Sequence, residues 1–585
     1  MDDLVNHQHT EISPEHARQQ LERILKSRAF RNSPKLCKLL SYLVEETING
    51  RGGDLKEYVI GEVIYERRYN HDSARHSFVR TAAGRLRERL ATYYEAEGLG
   101  DVLGIEIPLG GYTPVFRSRF TPGKSLPESE SCAVLPFREF SDGSGVLPLA
   151  DDVTDELIQR LTYVPGLRIV SRTSSFAFRD SQMDLAEIAR RLGVRQVVEG
   201  SVRHRSDRIE LSARVIDSQD GLHKWSGELS GRLSELAKLQ NRMAQEVAQA
   251  LQPGTQSSWR QPREPSLSAW KLYRQGRYHA ERRTLDGWSK AVACFRRALE
   301  IDPRYALAHV GLADANIVLA NFGETEPAPA MAAARVASET ALSIDSRLAE
   351  AHTSLAAVRM LADWDWEAAE HSFKEAITLG PSYPQAHHWY GRLLSHQLRF
   401  EEAMARMEMA IALDPVSPAT HAAAGMVAFE GKRFARALTH LEDALELSEN
   451  YPLALWQIGI VHVESGNHAA GFEFLGRAEK ILPSSSRLLS FCGYAHAKIG
   501  RRDIALRYLS RLSELSRSRY VSPLDIALIH VGLRNLDEAF SLIERSIHQR
   551  DNYLCWLVSS PYWSTIHSDP RFPIVAQWVS LPLTL

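Results

Sequence analysis

Residues 73–97 read SARHSFVRTAAGRLRERLATYYEAE. Phe78, Ala82, Leu86, Leu90 and Tyr94 recur every four residues, with Val79 and Tyr93 beside them, which is the apolar stripe of a helix packed on a small core. The opposite side carries Ser77, Arg80, Thr81 and Arg87, with Arg85 and Arg89 on the flanks. A helix with a greasy back and a cationic front suits phosphates and guanine edges, so the expectation is a helix that reads nucleic acid. Taken alone, such a stretch is more often a soluble helix whose arginines simply face water.

The neighbourhood turns the balance. Residues 35–47 (KLCKLLSYLVEET) and 55–64 (LKEYVIGEVI) both have helical periodicity, and the glycine-rich NGRGG at 49–53 breaks the chain between them. Downstream, 102–107 and 112–116 are short apolar and aromatic runs joined by Pro108-Leu109-Gly110-Gly111, which reads as a hairpin. Helix, helix, long basic helix and hairpin is the order of a winged helix-turn-helix over residues 14–118. Within it, Arg85-Leu86-Arg87-Glu88-Arg89-Leu90 and the Gly110-Gly111-Tyr112 near the hairpin tip resemble the OmpR-type winged-helix family. The resemblance implies that Arg85 and Arg87 contact DNA, and helix geometry adds Arg80 and Thr81. This sequence departs from the family in two places: a helical segment at 14–26 stands where an antiparallel sheet is usual, and Pro108 and Leu109 replace the wing arginine.

Residues 119–131 are polar, carry two prolines and read as a linker; Gly123-Lys124-Ser125 there is the tail of a phosphate-loop signature without its first glycine. From Cys132 the pattern alternates between strand and helix up to Leu251, defining a central α/β domain. CAVLPF is a short buried strand, 152–164 an amphipathic helix, 167–171 a second strand and 184–192 a helix closed by Gly193. Residues 196–203 and 208–217 form a hairpin with Ile209, Leu211, Ala213 and Val215 on one face, a further strand lies at 222–225, and a helix at 236–251 leads out. The runs Ala133-Val134-Leu135-Pro136-Phe137, Leu192-Gly193-Val194 and Val198-Glu199-Gly200-Ser201-Val202, with Trp225, resemble the TolB amino-terminal-like domain. That domain occurs in bacterial regulators and in some proteins carrying adenylate cyclase names. Asp151, Asp152, Asp155 and Glu156 cluster at a helix start, where acids offset the helix dipole; a metal role is the weaker reading.

After a second proline-rich linker at 252–268, the chain repeats. Leu379-Gly380-Pro381, Leu413-Asp414-Pro415, Leu447-Ser448 and Ile481-Leu482-Pro483 start 34 residues apart, and Ile301-Asp302-Pro303 and Ile344-Asp345 precede them. That period, with two helices per unit, is the tetratricopeptide signature. Small residues recur in register where paired helices approach: Gly391, Ala403 and Ala410, then Gly425, Ala437 and Ala444, then Gly459, Gly471 and Ala478. Seven or eight units fit within 269–550, one stretched by an insertion at 321–328. Stacked units form an all-α superhelix whose concave face is lined by first-helix residues. The register places His388, Arg392, His396, Met426, Phe429, Trp456 and Ile460 on that face, as a partner-binding groove or as packing. Residues 551–585 read as a cap over the final repeat.

The formal net charge is -2, and residues 1–120 hold 18 Lys plus Arg against 17 Asp plus Glu, so any DNA affinity must come from local clustering. The five cysteines are widely spaced, with no metal-type Cys/His pattern, and fit a reducing compartment. The amino terminus lacks a signal peptide's apolar centre and no apolar run is long enough to span a membrane, so the expected location is cytoplasmic, unlike membrane-anchored CadC-like relatives. No catalytic motif stands out, no cofactor is called for, and scattered histidines in helical repeats are more often packing than ligands, so the chain does not read as an enzyme. The domain order resembles that of HilA-like activators. The reading is a multidomain transcriptional regulator that binds double-stranded DNA at its amino end and a protein, peptide or second copy of itself through its repeats. Two other readings fit the same residues: a repeat scaffold whose winged shape does not bind DNA, and a nucleotide-linked regulatory protein without a cyclase domain.

Overall fold

The computed structural model describes residues 14–31, 33–65, 77–95, 103–108, 111–118, 131–141, 149–253, 263, 265–282, 284–321, 323 and 325–582. The amino-terminal tail, residues 73–76 and 96–97 of the long basic stretch, the hairpin tip at 109–110, the phosphate-loop remnant and most of both linkers lie outside them. The chain divides into two compact units, Met1–Ser125 and Leu126–Leu585.

The first unit contains α1 (Pro14–Lys26), α2 (Arg28–Arg31), α3 (Pro34–Ile48), α4 (Glu57–Tyr65), α5 (Ser77–Glu95), β1 (Leu103–Glu106) and β2 (Val115–Ser118). Its core joins Leu39, Leu40, Leu43 and Val44 of α3, Ile60 and Ile64 of α4, and Val79, Leu86, Leu90, Tyr93 and Tyr94 of α5. The apolar stripe of α5 from Val79 to Tyr94 is thus sealed, and Leu86 is fully buried. β1 and β2 pair antiparallel with Leu103 opposite Ser118. The second strand starts three residues later than Tyr112, after Pro114, whose ring nitrogen has no proton for a ladder. The Tyr94 hydroxyl accepts the Ile105 N–H at 2.7 Å and so ties the hairpin to the end of α5.

The second unit begins with a six-stranded sheet: β3 (Ser131–Val134), β4 (Arg138–Ser141), β5 (Arg168–Ile169), β6 (Gln196–Arg205), β7 (Arg208–Asp217) and β8 (His223–Arg232), in the order β5-β3-β6-β7-β8 with β4 also on β6. β3 runs parallel to β5 and β6, and β6, β7 and β8 form an antiparallel meander. Its helices are α6 (Ala150–Leu161), α7 (Arg172–Phe176), α8 (Leu185–Leu192) and α9 (Leu236–Leu251). α6 and α9 cover the face that carries Ile209, Leu211, Ala213 and Val215, all buried. Gly193 ends α8 at φ 62°, the left-handed cap expected there. Gly200 is required by close approach: a Cβ on it would sit 2.5 Å from the Phe137 ring and 2.3 Å from the Ser212 carbonyl oxygen. β8 is ten residues long rather than four. Only Leu229 of it is buried, so a wet edge strand left no alternating apolar signal.

Eight helix pairs follow among the described residues, from Leu267–Glu281 and Leu285–Ile301 to Pro523–Gly532 and Leu536–His548. The first helices of repeats four to seven start at Pro384, Pro418, Pro452 and Ser486, keeping the 34-residue step. The insertion falls between Ala306–Asn321 and Pro327–Ile344. The small-residue register is a packing requirement: a Cβ on Gly425 would meet Leu441 Cγ at 2.6 Å, and one on Gly459 would meet Leu475 Cγ at 2.7 Å. Cys132, Cys294, Cys492 and Cys555 are buried and Cys37 half-buried, all as free thiols.

The α/β domain and the repeats form one body. The sheet edge at β5 docks on the loops between repeats: the Ser382 hydroxyl accepts the Ile169 N–H at 3.1 Å and donates to the Leu167 carbonyl at 2.8 Å, so one side chain closes the exposed ladder. Arg168 donates to the Ala412 carbonyl at 3.0 Å, and Ser174 donates to Asp414 at 2.8 Å. Two of the acids at the start of α6 serve the same junction, and the other two pair within the α/β domain. Asp152 and Asp155 both pair with Arg274 from the first repeat helix, Asp151 pairs with Arg179 at 2.6 Å, and Glu156 pairs with Arg160 at 2.7 Å. Burial would raise the Asp155 carboxyl, but Arg277, Arg274 and Arg172 hold it below the usual range. Burial pushes Asp152 up to about 6 despite Arg274. Each acid of the cluster therefore has an arginine beside it.

Candidate nucleic-acid interface and repeat groove

α5 presents Arg80, Thr81 and Arg85 on its exposed side. Arg80 lies 3.6 Å from Glu57, a pair whose arginine side chain is 74% exposed and hence weak and exchangeable. Arg85 pairs with no carboxylate among the described residues. Arg87, expected beside Arg85 as a DNA contact, is used differently: its Nε donates to the Ile107 carbonyl at 2.9 Å, and its Nη2 donates to the carbonyls of Pro108 at 2.8 Å and Gly111 at 3.0 Å. It braces the hairpin loop against α5. Arg89 likewise donates to the Ala29 carbonyl at 2.8 Å, holding α2. Spacing along a helix tells which arginines share a face; it does not tell which of them carbonyls from later in the chain will claim.

In the array, the first helices turn Arg392, His396, Met426, Phe429, Trp456 and Ile460 inward as the register requires, but they do not line an open groove. The carboxy-terminal segment occupies it. The Asn552–Trp556 and Pro561–Ile566 turns pack against first-helix residues of repeats four to seven, beyond a cap over the last repeat, while the Phe572–Trp578 helix lies on Leu536–His548 of the eighth, with Trp578 beside His548 and Arg571 over Phe540. Trp556 packs edge-on to His396 at 4.6 Å between ring centroids, under the Arg392 guanidinium at 5.3 Å. Tyr562 packs against Phe491 at 5.1 Å and Phe429 at 6.2 Å. Met426, Phe429, Trp456 and Ile460 meet around a small crevice that Tyr562 closes. His388 is half-buried beside Trp389. Farther back, a five-residue π turn at Arg359–Asp363 frees carbonyls: that of Met360 accepts from Cys555 Sγ at 3.5 Å and that of Ala362 from Arg550 at 3.4 Å. Trp366 Nε1 donates to the Val579 carbonyl at 3.2 Å.

Two buried ion pairs line the filled groove. Arg392 donates to Glu430 at 2.8 Å, and Arg487 lies 3.0 Å from Asp525 with its guanidinium 3.3 Å over the Tyr553 ring. Trp556, Tyr562, Tyr553 and Glu430 were not singled out from the sequence. The available signal was the density of aromatic residues without a helical period in 553–573.

Burial sets the pH response of this unit. It holds the imidazole of His387 down at about 4, and that of His396 well below its usual value. The unfolded chain takes up their protons as pH falls below about 6.5, so stability present at neutral pH is lost toward pH 4, at about 1.4 kcal/mol per pH unit per proton. Burial raises Asp152 and Asp314 to about 6, which opposes the trend only below that pH. Urea midpoints are therefore expected to fall as pH drops from 7 toward 6, and His387→Gln to flatten that fall.

A helical-repeat array with an α/β domain locked on its side, and a separate helical unit ending in a hairpin, defines the class of protein. Residues 128–246, the α/β domain, match the model for the second domain of HilA/YgeH-like transcriptional regulators, and residues 361–418 match a tetratricopeptide-repeat model. The chain is similar to a provisionally named adenylate cyclase 3 of Rhizobium meliloti (strain 1021), with 32% identity over 227 residues, or 37% of this chain; it spans 39% of that protein's length. Among solved structures it is similar to the human IFIT1 dimer, at 15% identity over 54% of this chain and 78% of that one, with a TM-score of 0.38. It is also similar to PilF of Pseudomonas aeruginosa, at 22% identity over 37% of this chain and 96% of that one, with a TM-score of 0.28. Among the described residues, no helix is long and apolar enough to cross a membrane.

Proposed function

We propose that this chain is a soluble, cytoplasmic bacterial transcriptional regulator and not an enzyme, and that its first unit binds double-stranded DNA as an OmpR-type winged helix. The observation that carries the reading is α5: its back is sealed on a core, its front leaves Arg80, Thr81 and Arg85 exposed, and Arg87 fixes the hairpin beside it. The match of the adjoining domain to the second domain of a regulator family supports it. The repeats serve a protein partner, and a peptide enters their groove only by displacing the carboxy-terminal segment.

Selection of fragmented genomic DNA on the purified full chain tests this reading, and enrichment of a discrete site is expected. On that site, Arg85→Ala weakens binding by about 1–3 kcal/mol, roughly five- to 150-fold, with unchanged circular dichroism. Arg87→Ala loses affinity together with the stability of the first unit, as a brace does. The near-neutral charge of residues 1–120 favours a second reading, a repeat scaffold without DNA binding; no enrichment, with no binding at low salt, establishes it instead. A nucleotide-linked role rests on the name of the Rhizobium relative alone, and calorimetry with ATP and cyclic nucleotides decides it.

A further inference from the structure

We propose that His421, His440 and Asp443 of the fifth repeat bind one divalent transition-metal ion of the zinc class. His421 lies on the Pro418–Glu430 helix, and His440 and Asp443 lie one turn apart on Phe434–Leu447. Their ligating atoms all lie within 4.8 Å of one another.

The hydrogen bonding around His421 supplies the argument. Its Nε2 is 2.9 Å from the Pro415 carbonyl, which only accepts, so Nε2 carries the proton and the lone pair of the neutral ring is on Nδ1. That lone pair faces Asp443 Oδ2 at 3.5 Å. Two acceptors in opposition need a proton or a cation between them. Nearby, both ring nitrogens of His440 are buried without a hydrogen-bond partner, as is His421 Nδ1. A proton on His421 relieves one of these groups, whereas a metal ion takes the His421 lone pair, a His440 lone pair and the carboxylate together. The 3.5 Å separation is already close to the roughly 3.4 Å between two ligands on one tetrahedral zinc with bonds of about 2.1 Å. The Nε2–H bond to a carbonyl is the outer support that metal-binding histidines use to fix their tautomer.

The other repeats provide a comparison within the molecule. His309, His352 and His387 make the same bond to the carbonyls of Pro303, Ser346 and Pro381, so the ring orientation belongs to the repeat fold. The fifth repeat adds the other two ligands. In the fourth, Arg406 stands 34 residues before His440, and its charge acts on His387, where a cation would be repelled. Arg436, one turn before His440, also bears on that ring, but it is paired with Glu408, which offsets its charge toward a bound cation. Two imidazoles and one carboxylate suit zinc, cobalt or nickel rather than magnesium or calcium. The Asp443 side chain is 44% exposed, which gives an ion and a completing water a way in.

The test is titration of the metal-free full chain with Co2+, followed by visible absorption, and displacement by Zn2+. One equivalent bound in a four-coordinate spectrum is expected, with at least tenfold weaker binding in Asp443→Asn and in His440→Ala. Zn2+ is expected to raise the thermal midpoint of the wild type and not of Asp443→Asn. If His440→Ala fails to fold, the solvent-facing Asp443→Asn decides alone. Absence of binding at high micromolar metal overturns the proposal. So does binding that survives Asp443→Asn and disappears when residues 1–13, with His7 and His9, are removed.

Discussion

Arg392→Ala is expected to destabilise the second unit by about 3–5 kcal/mol, read as a fall in urea midpoint. The loss comes less from the missing attraction than from what stays behind. The Glu430 side chain is fully buried, and without Arg392 it keeps only the Ser395 hydroxyl. Arg392→Met combined with Glu430→Leu is expected to recover most of that stability, because an apolar pair of similar volume leaves no buried charge unmatched. Equal losses in the single and double variants would contradict this account of the pair.

Trp556→Ala carries the second large effect, about 3–5 kcal/mol for removing a buried tryptophan from a packed site. Its ring is in contact with His396 and stacks on Tyr553 at 4.4 Å. Because Arg392 also lies over this ring, the two substitutions share a partner, and their combined cost should be less than additive. The same variant is expected to loosen residues 551–582 from the groove and expose them to protease before the array unfolds. A loss below about 1 kcal/mol, with the segment still protected, would show that Trp556 does not anchor it.

The repeats were legible because a 34-residue step imposes small residues at fixed positions, and Gly425 and Gly459 had no room for anything larger. The alternation of Ile209, Leu211, Ala213 and Val215 gave β7, and the four-residue stripe of α5 gave its buried face. What stayed hidden depends on pairings between distant residues. Ser382 closes a sheet edge more than 200 residues away, and Arg274 joins acids that looked like a self-contained helix start. The register points to first-helix residues such as His396 and Phe429, yet nothing local in them shows that Trp556 and Tyr562 will cover them. Arg87 differs from Arg85 only through carbonyls that the hairpin brings to it. His421 and His440 are 19 residues apart on separate helices, a spacing with no motif of its own.

The most direct test of DNA reading by α5 is the affinity of the full chain for its selected fragment across a salt series, in wild type and in Arg85→Ala. Each phosphate neutralised contributes about 0.9 to the slope of log affinity against log salt. The account predicts a steep decline for the wild type, and for Arg85→Ala a weaker complex with a slope unchanged if the side chain reads a base, or shallower by about 0.9 if it meets a phosphate. Identical affinity and slope in the two proteins would contradict it.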